Sequence, residues 1–430
     1  MIGDRFDAIV VGAGMAGNAA ALSMAKRGMK VLQLERGEYS GSKNTQNAIL
    51  NPEILQELIP DFRADAPLER RLVEQRFWMM DERSHVGLRY RFNHCNGKRP
   101  NRYLILRARF DRWFSAKVRE AGATVLCQTS VIELAQNRAG RVIGVRTDRQ
   151  RDIIQADVVV IAEGVNKLLA TRAGFCARPK PHEVALLVKQ VHSLPRRIIE
   201  ARLNLKRDEG LMIETAGTIS HGMSGMGFIY VNKDSISLGI ACLVSDLQRG
   251  GERPYGILER FKRHPSVLSL IEGSEPNDYS AHLIPEGAYN SKPRLFGEGW
   301  VLVGDAVQLN NFVRHEDSSL AIASGRIAAE AIFRVKSSGD PITPDCLSLY
   351  ETMLNHFVAH SKKPFPALLH TRPENFRLTH AQLIAKAMDN FAQLGGISDP
   401  QQERRTSASF LNSCGWGWSV RDTFRRRLLR

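Results

Sequence analysis

Apolar runs separated by glycines dominate the first forty residues. AIVV (residues 8–11) is continuous and apolar, GAGMAG follows, and an alanine-rich stretch leads into a second apolar run, VLQL, that ends on Glu35. Short apolar runs bounded by turn residues predict buried strands, and the stretch between them predicts a helix. A less regular region around NGKRPNRY comes next, followed by an amphipathic helix predicted over Phe110–Ala123, FDRWFSAKVREAGA. Alternation in TVLCQTSVIELAQ and RVIGVRTDRQRDIIQADVVVIAEG predicts short strands. From about Pro179 to Pro293 the pattern is β-rich with helices between, as in FIYVNKDSISLGIACLV. WVLVGDA predicts a further buried strand before a helix from about Ser318 to Val335. Beyond SSGDPITP the pattern is mostly helical, and no repeat or low-complexity segment interrupts the chain.

At 430 residues the chain can hold two or three domains, and 43% hydrophobic with 24% charged residues is ordinary for a globular protein. No apolar run approaches the roughly 18 residues of a spanning helix. The first strand begins within about six residues of the start, which leaves no room for a signal peptide. A cytoplasmic chain is the expectation. Sixty Lys and Arg against 45 Asp and Glu give a net charge of +15, which suits nucleic acid, an anionic membrane surface or an acidic partner. No zinc-finger, RNP or basic-zipper pattern accompanies that charge, so nucleic acid is not expected. Arginines concentrate in the tail VRDTFRRRLLR, from Arg421 to Arg430, a candidate for membrane or partner docking. The six cysteines, Cys95, Cys127, Cys176, Cys242, Cys346 and Cys414, share no metal-ligand spacing. Reduced thiols and no metal site are expected.

Gly12, Gly14 and Gly17 form GxGxxG between a predicted strand and a predicted helix. The first glycine permits the tight turn, the second lets a pyrophosphate approach the backbone, and the third lets helix and strand pack closely. Glu35 follows 18 residues after Gly17, where a carboxylate can accept from a ribose hydroxyl. Two later strands also end in an acid beside glycine, Glu163-Gly164 and Gly304-Asp305. Such pairs can turn the chain and hydrogen-bond a sugar or ribityl hydroxyl. Together the segments point to FAD rather than NAD.

With these residues in view, the chain resembles the flavoproteins of the electron-transfer flavoprotein–ubiquinone oxidoreductase and FixC family. The resemblance rests on FDAIVVGAGMAGNAAAL, LQLERGEYSGSKN, ILRARFDRWFSAKVREAGATV, GMGFIYVNKDSISLGI, YSAHLIPEGAY and GEGWVLVGDAVQLNN, and covers nearly the whole chain. It implies an α/β fold: a glutathione-reductase-like FAD-binding Rossmann domain with an inserted β-rich α+β domain and a helical C-terminal region. The domains expected are 1–75, 101–178 and 293–336 for FAD, 76–100 and 179–292 for substrate or acceptor, and 337–430 as the helical region. By resemblance Gly12, Gly14 and Gly17 hold the FAD pyrophosphate, Glu35 the adenosine ribose and Asp305 the ribityl chain. Arg107 matches an arginine near the phosphates, and Glu163-Gly164 stands where many relatives have Asp-Gly. Asn47 and Asp317 depart from the family, which places glycine at both positions.

The resemblance further implies electrons arriving from electron-transfer flavoprotein subunits of the FixA/FixB kind. They leave to a quinone, or through a ferredoxin-like FixX, in support of nitrogen fixation. The chain has no second GxGxxG and no CxxC pair, and Cys414 alone near the C-terminus cannot ligate a cluster. Electron transfer needs no protein acid or base, so no catalytic residue is assigned; His282 and Glu286 in AHLIPEG are polar groups toward the substrate side, with structural roles as the plainer reading. Two other functions remain open at this level. One is a monooxygenase or geranylgeranyl-reductase-like enzyme on an organic substrate, and the other a non-catalytic FAD-binding assembly protein.

Overall fold

The structure, a computed structural model, describes residues 5–44, 47–91, 102–150, 152–217, 223, 225–285, 293–309 and 317–361. One sheet contains β1 (Arg5–Val11), β2 (Val31–Leu34), β7 (Thr124–Leu126), β8 (Val131–Gln136), β9 (Val142–Thr147), β10 (Ile154–Ile161), β16 (Phe296–Gly297) and β17 (Trp300–Leu302). The other contains β3 (Asn47–Leu50), β4 (Leu68–Met80), β5 (His85–Arg91), β6 (Tyr103–Leu106), β11 (Val184–Ser193), β12 (Glu209–Gly217), β13 (Gly225–Val231), β14 (Ser235–Leu243) and β15 (Glu275–Pro285).

The first sheet has a parallel core in the order β17-β10-β1-β2-β7. Val11 lies beside both Leu34 and Ile161, and Ile161 beside Leu302, so neighbouring strands end level with one another. Strands buried on both faces read as continuous apolar runs, which is how VVVI and WVL appear in the sequence. Helix α1 (Met15–Ala25) follows β1 and is buried along its whole length. Its alanines fit that position, because it packs between the sheet and α9 (Asp317–Ser338). The two helices touch at Gly325, where a Cβ would lie 2.0 Å from the Ala16 carbonyl oxygen.

The second sheet runs β15-β11-β14-β13-β12-β4-β6-β3, with β5 on β4. One face packs on α5 (Arg196–Leu203), α7 (Pro254–Arg263) and α8 (Pro265–Ile271), burying Ile199, Leu203, Ile257, Phe261 and Val267 against Ile213, Ile229, Ile236 and Leu238. Because side chains alternate along a strand, the other face carries Met212, Tyr230, Ser237 and Lys189. Short helices α2 (Pro52–Leu58), α4 (Leu168–Arg172) and α6 (Val244–Gly250) cover connections.

Two boundaries differ from the sequence expectation. The limit set at residue 75 falls inside β4, and β3, β4 and β6 all pair in the second sheet. Polar residues hide β4 in the sequence, yet Arg70 and Glu74 among them are buried and paired. The Arg70 guanidinium donates to Asn232 O at 2.7 Å, Lys233 O at 2.9 Å and Glu200 at 3.0 Å, while Glu74 accepts from Arg76, Arg89 and Arg91 at 2.6, 2.9 and 3.0 Å. The helix expected from Phe110 begins at Arg107 and ends at Glu120, as α3. Arg107 and Asp111 pair one turn apart and bring Arg107 into the helix. Met1–Phe357 forms one compact unit; of the second, Val358–Arg430, only the end of α10 (Pro344–Ser361) is described. Most of the predicted helical region, including the basic tail, lies outside the described residues.

Candidate functional site

Parallel pairing collects the sequence-predicted residues at one edge of the first sheet. The strand ends there lead into Gly12, Glu35, Glu163-Gly164 and Gly304-Asp305, from β1, β2, β10 and β17. Ligand sites of open parallel sheets form beyond this edge. A cavity of about 590 Å³ opens there, lined by Gly12, Gly14, Glu35, Arg107, Glu163, Gly164, Gly304 and Asp305. Gly17 is set back, and it packs the helix: a Cβ on it would lie 2.0 Å from the Gly12 carbonyl oxygen.

The glycine turn is shaped for close approach. Gly12 has φ +104°, and a Cβ there would come within 2.4 Å of the Ala162 carbonyl oxygen. At Gly14 a Cβ would meet only the Arg107 guanidinium, at 3.8 Å, so its backbone faces the cavity. Gly14 caps α1 with no side-chain acceptor, leaving the first amides of the helix to whatever occupies the cavity. Asn18 Nδ2 and Ser40 Oγ brace the turn, donating to Ala13 O at 2.9 Å and Asp111 O at 2.9 Å respectively.

Glu35 bridges the turn and the next loop. Its carboxylate accepts from the Ala13 amide at 2.9 Å and the Gly37 amide at 2.7 Å, one bond on each oxygen. Each oxygen keeps a second lone pair for a hydroxyl in the cavity. Thr129, Ser130 and Val131 line the cavity at this end.

Arg107 points its fork at Asp111, donating at 3.0 Å from Nε and 2.9 Å from Nη2. Burial works against its charge, but Asp111, and then Asp305, hold the guanidinium above its ordinary pKa. Asp305 is pushed up by burial, with Arg107 and then Lys167 opposing. Gly304, at φ +69°, donates its amide to Ser324 Oγ at 2.9 Å and fixes the turn that carries Asp305.

Glu163 also lines the cavity, but each carboxylate oxygen accepts a backbone amide at the start of α4, from Leu169 and Ala170, both at 2.8 Å. Burial raises its pKa while those amides lower it. Gly164 has φ +74°, and a Cβ there would meet nothing within 4 Å, so it presents backbone to the cavity.

The far end is built from the second sheet and α9. Asn47, Ala48, Ile49, Tyr230, His282 and Asp317 line it. Asn47 lies in β3 and Asp317 in the first turn of α9, extended and helical backbone that any side chain tolerates. Asn47 donates from Nδ2 to Asn232 Oδ1 at 2.6 Å and accepts from Lys189 Nζ at 3.1 Å. Asp317 begins α9, and its charge acts on Tyr230, whose hydroxyl is pushed up by burial first, then by Glu214 and Asp317. His282 is held down to about 4 by burial, Arg107 and Arg36, so its ring is neutral at pH 7. Glu286 lies outside the described residues. Sequence reasoning passed over Lys189 and Asn232; a lysine inside the apolar run VALLVKQV was the available signal.

Among the described residues no cluster of three metal-capable side chains occurs, and Cys127, Cys176, Cys242 and Cys346 are free thiols. Cys95 and Cys414 lie outside the described residues.

Residues 7–176 match the family model described as FAD dependent oxidoreductase. The chain is 63% identical over 429 residues to Protein FixC of Bradyrhizobium diazoefficiens, with 99% of each covered. It is 44% identical over 412 residues to Protein FixC of Azotobacter vinelandii, with 95% of each covered. A geranylgeranyl bacteriochlorophyll reductase-like protein of Thermoplasma acidophilum superposes with a TM-score of 0.68 at 19% identity, covering 91% of this chain and 98% of that one. The myxobacterial FAD-dependent halogenase CndH gives 0.61 at 18% identity, covering 93% and 92%. At these identities the solved structures speak for the fold.

The bonds of Glu163 give a direct test of its role. Glu163→Gln removes one of the two acceptors at the start of α4. It should destabilise the protein by about 1 kcal/mol, as loss of a capping group does, and speed amide hydrogen exchange at Leu169 and Ala170. Unchanged exchange at both amides would remove the capping role.

Proposed function

The chain belongs to the FixC family of FAD-dependent oxidoreductases, and from that premise we propose that it carries electrons from an electron-transfer flavoprotein of the FixA/FixB kind to a quinone or a FixX-like ferredoxin, in support of nitrogen fixation. One observation supports this reading above the others: a single cavity runs from Glu35 on the first sheet to Asn47, Tyr230 and Asp317 beside the second. An extended dinucleotide fits that path. Its two ends call for different surroundings, a hydroxyl acceptor for ribose and a mixed apolar and polar wall for a planar ring.

FAD supplies the redox chemistry when bound, and the protein supplies binding, orientation and electrostatics. Glu35 accepts from the adenosine ribose with its remaining lone pairs. Gly12 and Gly14 present backbone to the pyrophosphate at the start of α1, where the helix dipole favours negative charge. Arg107 turns the N–H groups not spent on Asp111 toward the same phosphates. Gly304 and Asp305 receive the ribityl chain, and Gly164 leaves room beside it. Asn47, Ile49, Tyr230, His282 and Asp317 would then surround the isoalloxazine. A neutral His282 adds no positive charge there at pH 7. None of these residues needs to move a proton for electrons to pass.

Among the described residues no helix is long and apolar enough to cross a membrane. A quinone resides in the bilayer, so the chain meets it as a peripheral protein, on the inner face of the cytoplasmic membrane, with the tail from Arg421 to Arg430 as the basic contact. The discriminating assay supplies a reduced electron-transfer flavoprotein as donor and a soluble quinone as acceptor. Turnover should require the flavoprotein and should not start with NADH. Oxygen-dependent NADH consumption with no response to the flavoprotein would instead favour an oxygenase acting on an organic substrate.

Replacing Glu35 by Arg puts a bulky donor where the ribose needs an acceptor. The purified variant should have lost most of its visible flavin absorbance, and full FAD occupancy would refute the ribose assignment.

Asp317 brings negative charge to the end of the cavity where reduction adds more. Asp317→Gly should raise the flavin midpoint potential, by about 30 mV if the reduction equilibrium shifts tenfold. Asp317→Asn, which keeps the size and removes the charge, should recover part of that rise. Redox titration of the three proteins decides, and equal potentials would place the carboxylate outside the flavin's field.

A further inference from the structure

Lys189 is fully buried in the middle of β11. Strand alternation turns it away from the helical face of the second sheet, onto the side that carries Tyr230 and Ser237. Gly239 lies opposite it in β14, and a Cβ there would come within 2.3 Å of the Val188 carbonyl oxygen and 2.5 Å of the Phe228 ring, so only glycine fits this tightly packed position. The ammonium donates to Asn47 Oδ1 at 3.1 Å. Asn47 is tied on its other side to Asn232 at 2.6 Å, and Asn232 donates to Ser235 at 3.0 Å and Ser237 at 2.9 Å. The amide of Asn47 therefore cannot turn without breaking a bond at one end, and Asn47 itself lines the cavity. One cation thus stands a single side chain behind the cavity wall.

Burial lowers the pKa of this amine to about 8, with the Asp278 charge opposing. It still carries its proton at pH 7. Burying a charged amine is costly, and an apolar residue would fill the same place in the strand without that cost.

We propose that Lys189, oriented by Asn47, is a positioning charge for the flavin, favouring the reduced cofactor over the oxidised one. The proposal rests on the reading that the isoalloxazine occupies this end of the cavity. Reduction brings two electrons from the donor and, in the singly charged reduced form, one proton from water; the cofactor thereby gains one negative charge. Lys189 makes and breaks no covalent bond. Its field acts on the charge gained, and a positive field at that site raises the potential.

The test uses the full-length, FAD-loaded protein with Lys189→Met and Asn47→Gly, titrated with dithionite against an indicator dye. Lys189→Met should keep its FAD and lower the reduction equilibrium tenfold or more, about 30 mV for a two-electron couple. Asn47→Gly should shift the potential in the same direction by less, because the ammonium remains but is no longer held. ADP binding to the flavin-stripped chain, measured by calorimetry, should be unchanged in Lys189→Met, since the adenosine half lies at the other end. An unchanged midpoint with FAD and ADP binding intact overturns the role of Lys189 and leaves the cofactor's placement standing. Weakened ADP binding would instead put the adenosine half beside Lys189 and overturn the placement itself. Should Lys189→Met fail to fold, Asn47→Gly carries the decision, and a midpoint equal to the parent's overturns the proposal.

Discussion

Four parallel strands ending level with one another are the constraint on which the rest of the site depends. Because β2, β1, β10 and β17 are neighbours in that order, residues far apart in sequence leave the sheet along one edge. The spacing between β1 and β10 is in turn set by glycine. A side chain at Gly12 would strike the Ala162 carbonyl, and one at Gly17 would strike Gly12 itself. Either change would push the helix off the strand end and carry its unpaired amides away from the cavity. The motif is therefore a packing condition before it is a binding one.

Within that frame the charges come in opposed sets. Arg107 is clasped by Asp111 and feels Asp305, while Asp305 feels both Arg107 and Lys167. Two parallel N–H···O bonds fix the guanidinium plane, which a lone buried arginine could not do for itself. The cost of burying these groups is offset by their pairing, and the pairing breaks badly if one member is removed. A cluster of this kind adapts poorly to a neutral ligand. It suits one that brings phosphate charge to Arg107 and hydroxyl donors to the carboxylates.

Much of this was legible in the sequence, for a physical reason: apolar runs ending in glycine or an acid mark the ends of buried parallel strands, and GAG, Glu35, Glu163-Gly164 and Gly304-Asp305 all stand there. The parts that escaped share the opposite trait. β4 is rich in Glu, Arg and Gln, so its pattern resembles a surface segment, and only the structure shows Arg70 and Glu74 to be buried and paired. Glu163 resembles a ligand-facing acid until its partners at Leu169 and Ala170 are seen. Lys189 and Asn47 are 142 residues apart, and no local spacing relates them. Pairings made between distant strands of one sheet leave no mark on either segment.

The two positions at which the resemblance leads one to expect glycine, Asn47 and Asp317, come together in this setting. Asn47 sits in a strand and Asp317 in a helix, conformations in which a side chain carries no strain. Asn47 uses its side chain to draw a buried cation toward the cavity, and Asp317 brings a carboxylate to the same end on the first turn of α9. The positive end of that helix partly neutralises Asp317, and the Lys189 ammonium donates to the Asn47 amide oxygen. On the reading proposed above, the two charges act on one ring with opposite sign. Asn47 is in turn held by a polar network that extends as far as Asn232 and Ser237.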